Sequence, residues 1–292
     1  MIKYAHFLLI FWIKKMKLKF IIAVFLSALY LQGCTTNTTS MFGDDRSQLM
    51  LISEEKLNKE AKENYDQVLA QAKAQKTLNA DKKFYNRVKK ISDRLIKVAP
   101  ELRADCKDWN WEVNTIKEST VNAWCMPGGK IVVYTGLNDT LKLNDDELAA
   151  VIGHEISHAI KEHLREQRSQ AELQSSATKL ASLLGVKKSI TNTANVAYQA
   201  AFAMPFSRDQ ESESDKLGLE LMYKANFDPN GAVTVMEKMN QFEKKAQAES
   251  GDKPNAASSF INRITSTHPA SEDRANDLKE LIQKHGLKAE VK

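Results

Sequence analysis

The stretch VIGHEISHAI, residues 151–160, restricts this chain more than any other ten residues. His154 and His158 are four apart, so on an α-helix they stand on one face, one turn above the other. There both imidazoles can reach a single ion at zinc–nitrogen distances of about 2.0–2.1 Å. Glu155 is rotated about 100° around the axis, beside the histidine pair and not within it. A carboxylate in that position can touch a water at the ion without entering the coordination shell, and can move its proton. The alternative is a solvated helix face that carries two histidines. The surroundings, AAVIGHEISHAI, disfavour it: they are small and apolar, and a buried His–Glu–His set would be costly there without a cation. Gly153 suits close helix packing beside the pair.

A catalytic zinc usually has three protein ligands and one open position, so the fold must bring a distant residue to the pair. The segment SRDQESESDKLGLELM, 207–222, is the obvious source. Glu211 and Asp215 are four apart and share a helix face, while Glu213 points away. The economical assignment puts Glu211 on the metal, with Asp215 hydrogen-bonding a ligand imidazole and fixing its tautomer. Glu213 then reads as a solvated charge. So does His163, which lies five residues after His158 and off the ligand face. The expected cofactor is one Zn2+ per chain. A purely structural zinc is disfavoured, because such sites are usually closed by Cys and His, and Glu155 would have no purpose.

Around this motif the chain reads as α+β and mostly helical. Apolar periodicity from Ser47 to about Val98 predicts two helices with a break near Asn79–Asp81, and Pro100 ends that run. WNWEVNTI (109–116), VNAWCM and KIVVYTGL, the last two flanking Pro127–Gly129, predict a small antiparallel sheet packed on the motif helix. Asn144 caps that helix, with Glu147 at the capping-box position. Residues 169–200 read as a weak helix or a mobile segment over the site. Helices resume near Ser207–Ala225, Asn230–Ala246 and Ser271–Lys284, and 248–259 is a loop. No repeat period is visible.

The amino-terminal stretch bears on location. MKLKFIIAVFLSALYLQGC, 16–34, has a basic start, an apolar run from Phe20 to Leu31 and a glycine before a cysteine, which is a secretory signal pattern. LQGC resembles a lipobox, in which Cys34 is lipidated and becomes the first residue. The apolar run is shorter than the ~20 residues a membrane span needs. Met16 is a better initiator than Met1. The expected organisation is a signal peptide over 1–33, a lipidated Cys34 with a polar tether over 34–46, and a metallopeptidase domain over 47–292. Thr35 after the cysteine favours the outer membrane of a Gram-negative bacterium, on its periplasmic side. The net charge of +5 comes from Lys3, Lys14, Lys15, Lys17 and Lys19; past residue 33 the balance is 37 basic to 37 acidic residues. A nucleic-acid partner therefore has no electrostatic support. Cys106 and Cys125 are left as an even pair, either bridged in an oxidising compartment or two buried thiols.

The combination of HEISH with ESESD 53 residues later resembles the HtpX-like, CAAX-prenyl-protease-type zinc metallopeptidases, a gluzincin group. NAWCMPGGKIVVYTGL (122–137) resembles that family's strand and turn, and THPASEDR (267–274) its H-P-x-x-x-x-R element. The likeness covers about residues 50–285; Ser214, where the family more often has Ala, is a minor departure. The resemblance implies a zincin-type core, His154, His158 and Glu211 as zinc ligands, Glu155 as base and acid, and Asp215 behind the ligands. It gives His268 one of two roles: stabilising the oxyanion, or swinging onto zinc as a fourth ligand that holds the enzyme off. Arg274 would pair with a carboxylate. Asn122, Ala123 and Trp124 would lie on an edge strand that pairs with an extended substrate, or be an internal strand with Trp124 in the core. The implied function is quality control: hydrolysis of misfolded or immature envelope polypeptides beside an envelope protease or the barrel-assembly machinery. The alternative is a largely autoinhibited assembly factor that cleaves conditionally.

Overall fold

Side-chain caps set four of the helix starts among the described residues. In the computed structural model, which describes residues 38–43, 46–183, 205–250, 268 and 272–289, the Ser53 side chain caps α1 (Glu54–Ala74) and Asp81 caps α2 (Lys82–Leu102). Between them Asn79 takes a left-handed φ of 49°. Its side-chain oxygen accepts from Thr115 N at 2.8 Å, which pins the interhelical turn to the first strand. Pro100 does not end the helical run: α2 continues through it to Leu102. The proline falls in the last turn: it forfeits one N–H bond, and the helix stops two residues later.

A short 3-10 turn (Ala104–Asp108) leads into β1 (Glu112–Ile116), β2 (Ala123–Met126) and β3 (Lys130–Tyr134). The sheet is mixed, not antiparallel throughout. The chain carries β2 to the far side of β3, so β3 is central, antiparallel to β2 and parallel to β1. The predicted turn joins β2 to β3 with Gly128 and Gly129 at φ 76° and 80°. A Cβ on Gly129 would lie 2.6 Å from the Trp111 ring, so the position admits only glycine. Ile131 and Val133 face the main core and Val132 faces a second, smaller one with Tyr65, the alternation a strand imposes.

Helix α3 (Thr135–Leu141) follows β3, and then comes α4 (Asp145–Ile160), the motif helix. Asn144 and Glu147 form its predicted capping box. Every residue of α4 from Glu147 to Ile160 is buried, as expected of a helix covered on all sides. It packs on β2, α2, α6 (Arg208–Lys224) and α7 (Asn230–Ser250). Helices α5 (His163–Leu183) and α8 (Glu272–His285) complete the eight helices among the described residues. None of these is long and apolar enough to cross a membrane. The leader with Met16, Cys34, and the spans 184–200 and 251–259 lie outside the described residues.

The polar stretch read as a tether is held against the domain over its last residues. Thr39 N donates to Leu102 O at 2.8 Å. Ser40 Oγ and Met41 N both donate to Glu220 Oε2 at 2.9 Å. Phe42 sits edge-on to His285 with ring centroids 5.0 Å apart. Past Arg46, the Leu51 and Ile52 amides donate to Ser169 Oγ on α5 at 2.9 and 3.2 Å. Residues 38–43 on α2 and α6, and residues 46–52 on α5, thus form a strap in two described stretches.

Candidate metal centre

Helix α4 delivers its two histidines as the spacing requires. His154 Nε2 and His158 Nε2 are 3.0 Å apart. Opposite them α6 presents Glu211, whose carboxylate oxygens lie 3.5 Å from His154 Nε2 and 3.4 Å from His158 Nε2. Two glycines permit this approach: a Cβ on Gly153 would lie 3.2 Å from Gly218 O, and one on Gly218 would lie 2.9 Å from His154 N. His268 completes the cluster, its Nδ1 2.9 Å from Glu211 Oε1 and 3.3 Å from His154 Nε2. One ligand atom from each of His154, His158, Glu211 and His268 falls within 4.8 Å of all the others.

The orientations of the two rings support a cation site. His154 Nδ1 lies 3.0 Å from Asp215 Oδ1, which turns its Nε2 toward the cluster. His158 Nδ1 is engaged by His163 Nδ1 at 2.9 Å, which turns the Nε2 of His158 the same way. Two imidazole nitrogens and a carboxylate are thus aimed at one point, where a shared cation, proton or metal ion, holds them together. Two imidazoles with a carboxylate is a zinc-type donor set. The electrostatics agree. Burial disfavours charge on His154, but hydrogen bonds to Asp215 and Glu211 outweigh it and raise its pKa to about 10. Burial likewise works against ionisation of Glu211, and contacts with His154, His158 and His268 overcome it and hold the carboxyl well below the usual range. His158 goes the other way: burial lowers its pKa and keeps the ring neutral.

Glu155 points into the same space, with Oε1 3.5 Å from His268 Nε2. Burial raises its pKa, against the pull of His268 and His154. A raised pKa strengthens a carboxylate as a proton acceptor, which suits a general base. Asp215 is gripped by Arg274, with Nε to Oδ2 and Nη2 to Oδ1 both at 2.7 Å, and Arg274 Nη1 also reaches Glu211 Oε2 at 2.7 Å. Arg274 therefore pairs with a carboxylate as expected, and with two of them. An apolar pocket opens beside Glu155, lined by Val151, Val235, Met236, Met239 and Leu278, with Asn122 and Ala123 at its edge. Trp124 belongs elsewhere: it packs edge-on to Tyr65, centroids 6.1 Å apart, in the second core.

Two residues read as solvated are buried. His163 is 0% exposed and Glu213 4%. Glu213 does point away from Glu211, but α5 lies on that side. Its Oε2 accepts from His163 Nε2 at 2.9 Å, and its carboxylate is forked by Arg46. The spacing of His163 after His158 carried a signal only in combination with a carboxylate two residues past Glu211. Nothing in the sequence singled out Arg46, or Phe206, whose ring stacks on His158 with centroids 3.9 Å apart. Cys106 and Cys125 are free thiols. Both sit within or against the main apolar core, where burial pushes Cys106 up to about 12 and Cys125 well above the ordinary thiol range.

A family model described as peptidase family M48 matches residues 85–282. The mitochondrial metalloendopeptidase OMA1 of Arabidopsis thaliana is 36% identical over 166 residues, 57% of this chain and 30% of the relative. That of Schizosaccharomyces pombe is 32% identical over 205 residues, 70% of this chain and 55% of the relative. Metalloprotease LoiP of Escherichia coli K12 is 30% identical over 183 residues, 61% of this chain and 65% of the relative. The chain thus spans less than two thirds of the length of each of these three.

Proposed function

Because this chain belongs to peptidase family M48, we propose that His154, His158 and Glu211 hold one zinc ion, beside which Glu155 drives hydrolysis of an internal peptide bond. The observation that carries this is the convergence of ligand atoms from α4 and α6 within 4.8 Å, with Glu155 next to them. A bound zinc supplies a Lewis acid that polarises the scissile carbonyl and makes water more acidic. Glu155 takes the proton of the attacking water and hands it to the leaving amine. Asp215 and Arg274 hold His154 and Glu211 in place, so the ligand shell costs no reorganisation as the reaction proceeds. The edge of β2 at Asn122–Ala123 receives an extended substrate backbone, and the apolar pocket takes one of its side chains.

The signal-like leader and LQGC support a lipid anchor at Cys34, on the periplasmic side of an outer membrane. The proposed substrates are misfolded or immature envelope polypeptides, with an envelope protease or the barrel-assembly machinery as partner. One observation favours the second reading, an assembly factor that is mostly shut. His268 lies among the proposed ligands, 2.9 Å from Glu211 Oε1, within reach of the same ion as a fourth donor.

The test is zinc content and casein cleavage by the purified chain, with Glu155→Gln as control, together with rescue of an envelope defect in cells. Stoichiometric zinc with loss of both cleavage and rescue in the variant is the expected result. Rescue without cleavage favours the assembly factor. Absence of stoichiometric zinc, or full cleavage by His154→Ala, overturns the proposal.

A further inference from the structure

The donor set accounts for His154, His158 and Glu211, yet a second charged cluster lies directly behind His158. Arg46 arrives from the strap and grips two carboxylates at once. Its Nη1 and Nη2 reach Glu166 Oε1 and Oε2 at 2.6 and 2.7 Å. Its Nε and Nη2 reach Glu213 Oε1 and Oε2 at 3.0 and 2.9 Å. Gln210 Nε2 and Gln48 Nε2 donate to Glu166 Oε2 at 2.8 and 3.3 Å, which fixes that side of the fork. Glu213 Oε2 then meets His163 Nε2 at 2.9 Å, and His163 Nδ1 meets His158 Nδ1 at 2.9 Å. Ser214 Oγ also reaches His163 Nδ1, at 3.2 Å.

Hydrogen-bond logic gives this chain of contacts a direction. A guanidinium only donates, so both carboxylates accept from Arg46. A carboxylate facing an imidazole nitrogen also accepts, so His163 carries its proton on Nε2. That leaves His163 Nδ1 as an acceptor, and the Nδ1 it faces must be the donor. His158 is thereby fixed with its proton on Nδ1 and its lone pair on Nε2, the nitrogen 3.0 Å from His154 Nε2. Reversing the His163 proton would put N–H on the wrong side of His158. Burying a guanidinium fork, two carboxylates and an imidazole gains little stability over apolar packing of the same volume. An ordered array ending on a ligand nitrogen has another use.

We propose that Arg46, Glu213 and His163 are positioning residues that set the tautomer and orientation of His158 toward the metal. The inference rests on the reading of His158 as a metal ligand. It extends the metal centre back to a strap residue 112 positions before His158 in the chain.

The test measures zinc and cobalt(II) dissociation constants by chelator competition on the full purified chain, alongside the melting midpoint of the metal-free protein. Glu213→Gln, whose amide can donate and so invert the His163 tautomer, is expected to weaken metal binding by about 10- to 100-fold, with an altered cobalt(II) visible spectrum. Arg46→Ala acts in the same direction and Arg46→Lys, which keeps the charge, recovers part of the loss. Glu220→Ala removes the acceptor of Ser40 and Met41, one of the strap's other anchors, without touching the array. It is expected to lower the melting midpoint while leaving metal affinity within twofold. Unchanged metal affinity in Glu213→Gln and Arg46→Ala, whatever their stability, overturns the proposal; so does an equal loss in Glu220→Ala. If Glu213→Gln yields no folded protein, Arg46→Ala and Arg46→Lys decide by the same criterion. Failure of the underlying assignment looks different: the parent chain would not bind zinc, or His158→Ala would bind it as the parent does.

Discussion

Gly218 on α6 rides against Gly153 and His154 on α4, so close that a Cβ added to Gly218 would lie 2.9 Å from His154 N and 3.1 Å from Gly153 C. Backbone, not a flexible side chain, is what it would meet. Gly218→Ala must therefore spread the two helices that carry the ligand set. Overpacking of this kind costs about 1–3 kcal/mol. The expected outcome is a lower denaturation midpoint together with weaker zinc retention under dialysis against chelator. A Gly218→Ala protein with parental stability and zinc content would show that the close approach is not needed.

Glu155→Gln keeps the shape of the side chain and removes the proton acceptor. Peptidase activity on casein or a quenched peptide is expected to fall by about 10²- to 10⁴-fold, with zinc content unchanged because Glu155 is not a ligand. Retention of more than a tenth of the activity would assign the base elsewhere.

Asp215→Asn weakens the hold on the Nδ1 side of His154 and neutralises one of the two carboxylates that Arg274 grips. Metal affinity is expected to fall by about 10- to 100-fold, read by chelator competition. Affinity equal to the parent's would reduce Asp215 to packing.

Acid sensitivity should trace to Glu213. Burial pushes its carboxyl up, but hydrogen bonds from His163 and Arg46 win and hold it at about 2. An unfolded glutamate titrates near ~4.3. With the folded value depressed, the contribution of Glu213 to stability is complete above ~4.3 and is lost as pH falls toward about 2. On the metal-free chain, denaturant midpoints between pH 5 and 2 should fall more steeply for the parent than for Glu213→Gln. Parallel slopes for the two proteins would contradict this assignment.

The centre was legible wherever one local period decided geometry. The four-residue spacings of His154 with His158 and of Glu211 with Asp215 put each pair on one helix face whatever else the fold did. Gly153 announced a close neighbour, although its partner Gly218 was not foreseen. The capping box at Asn144 and the glycine turn at 128–129 were fixed by their own few residues. What escaped depended on which element lay opposite. Glu213 and His163 looked solvated because a helix face can be assigned from spacing, but the helix that covers it cannot. The parallel pairing of β1 with β3 was missed for a similar reason, since strand order depends on where a connection crosses. Pro100 misled because a proline marks where a helix must stop only to within a turn, and this one stops two residues past it.

The strap also has a mechanical reading. A pull on the chain at residue 38 is borne first by the Thr39–Leu102 bond and the double grip of Ser40 and Met41 on Glu220. Arg46 comes only after them. The strap is thus clamped upstream of the Arg46 fork, as a cable is clamped before its terminal. Tension applied ahead of residue 38 would be spent on α2 and α6 before reaching the residues behind His158.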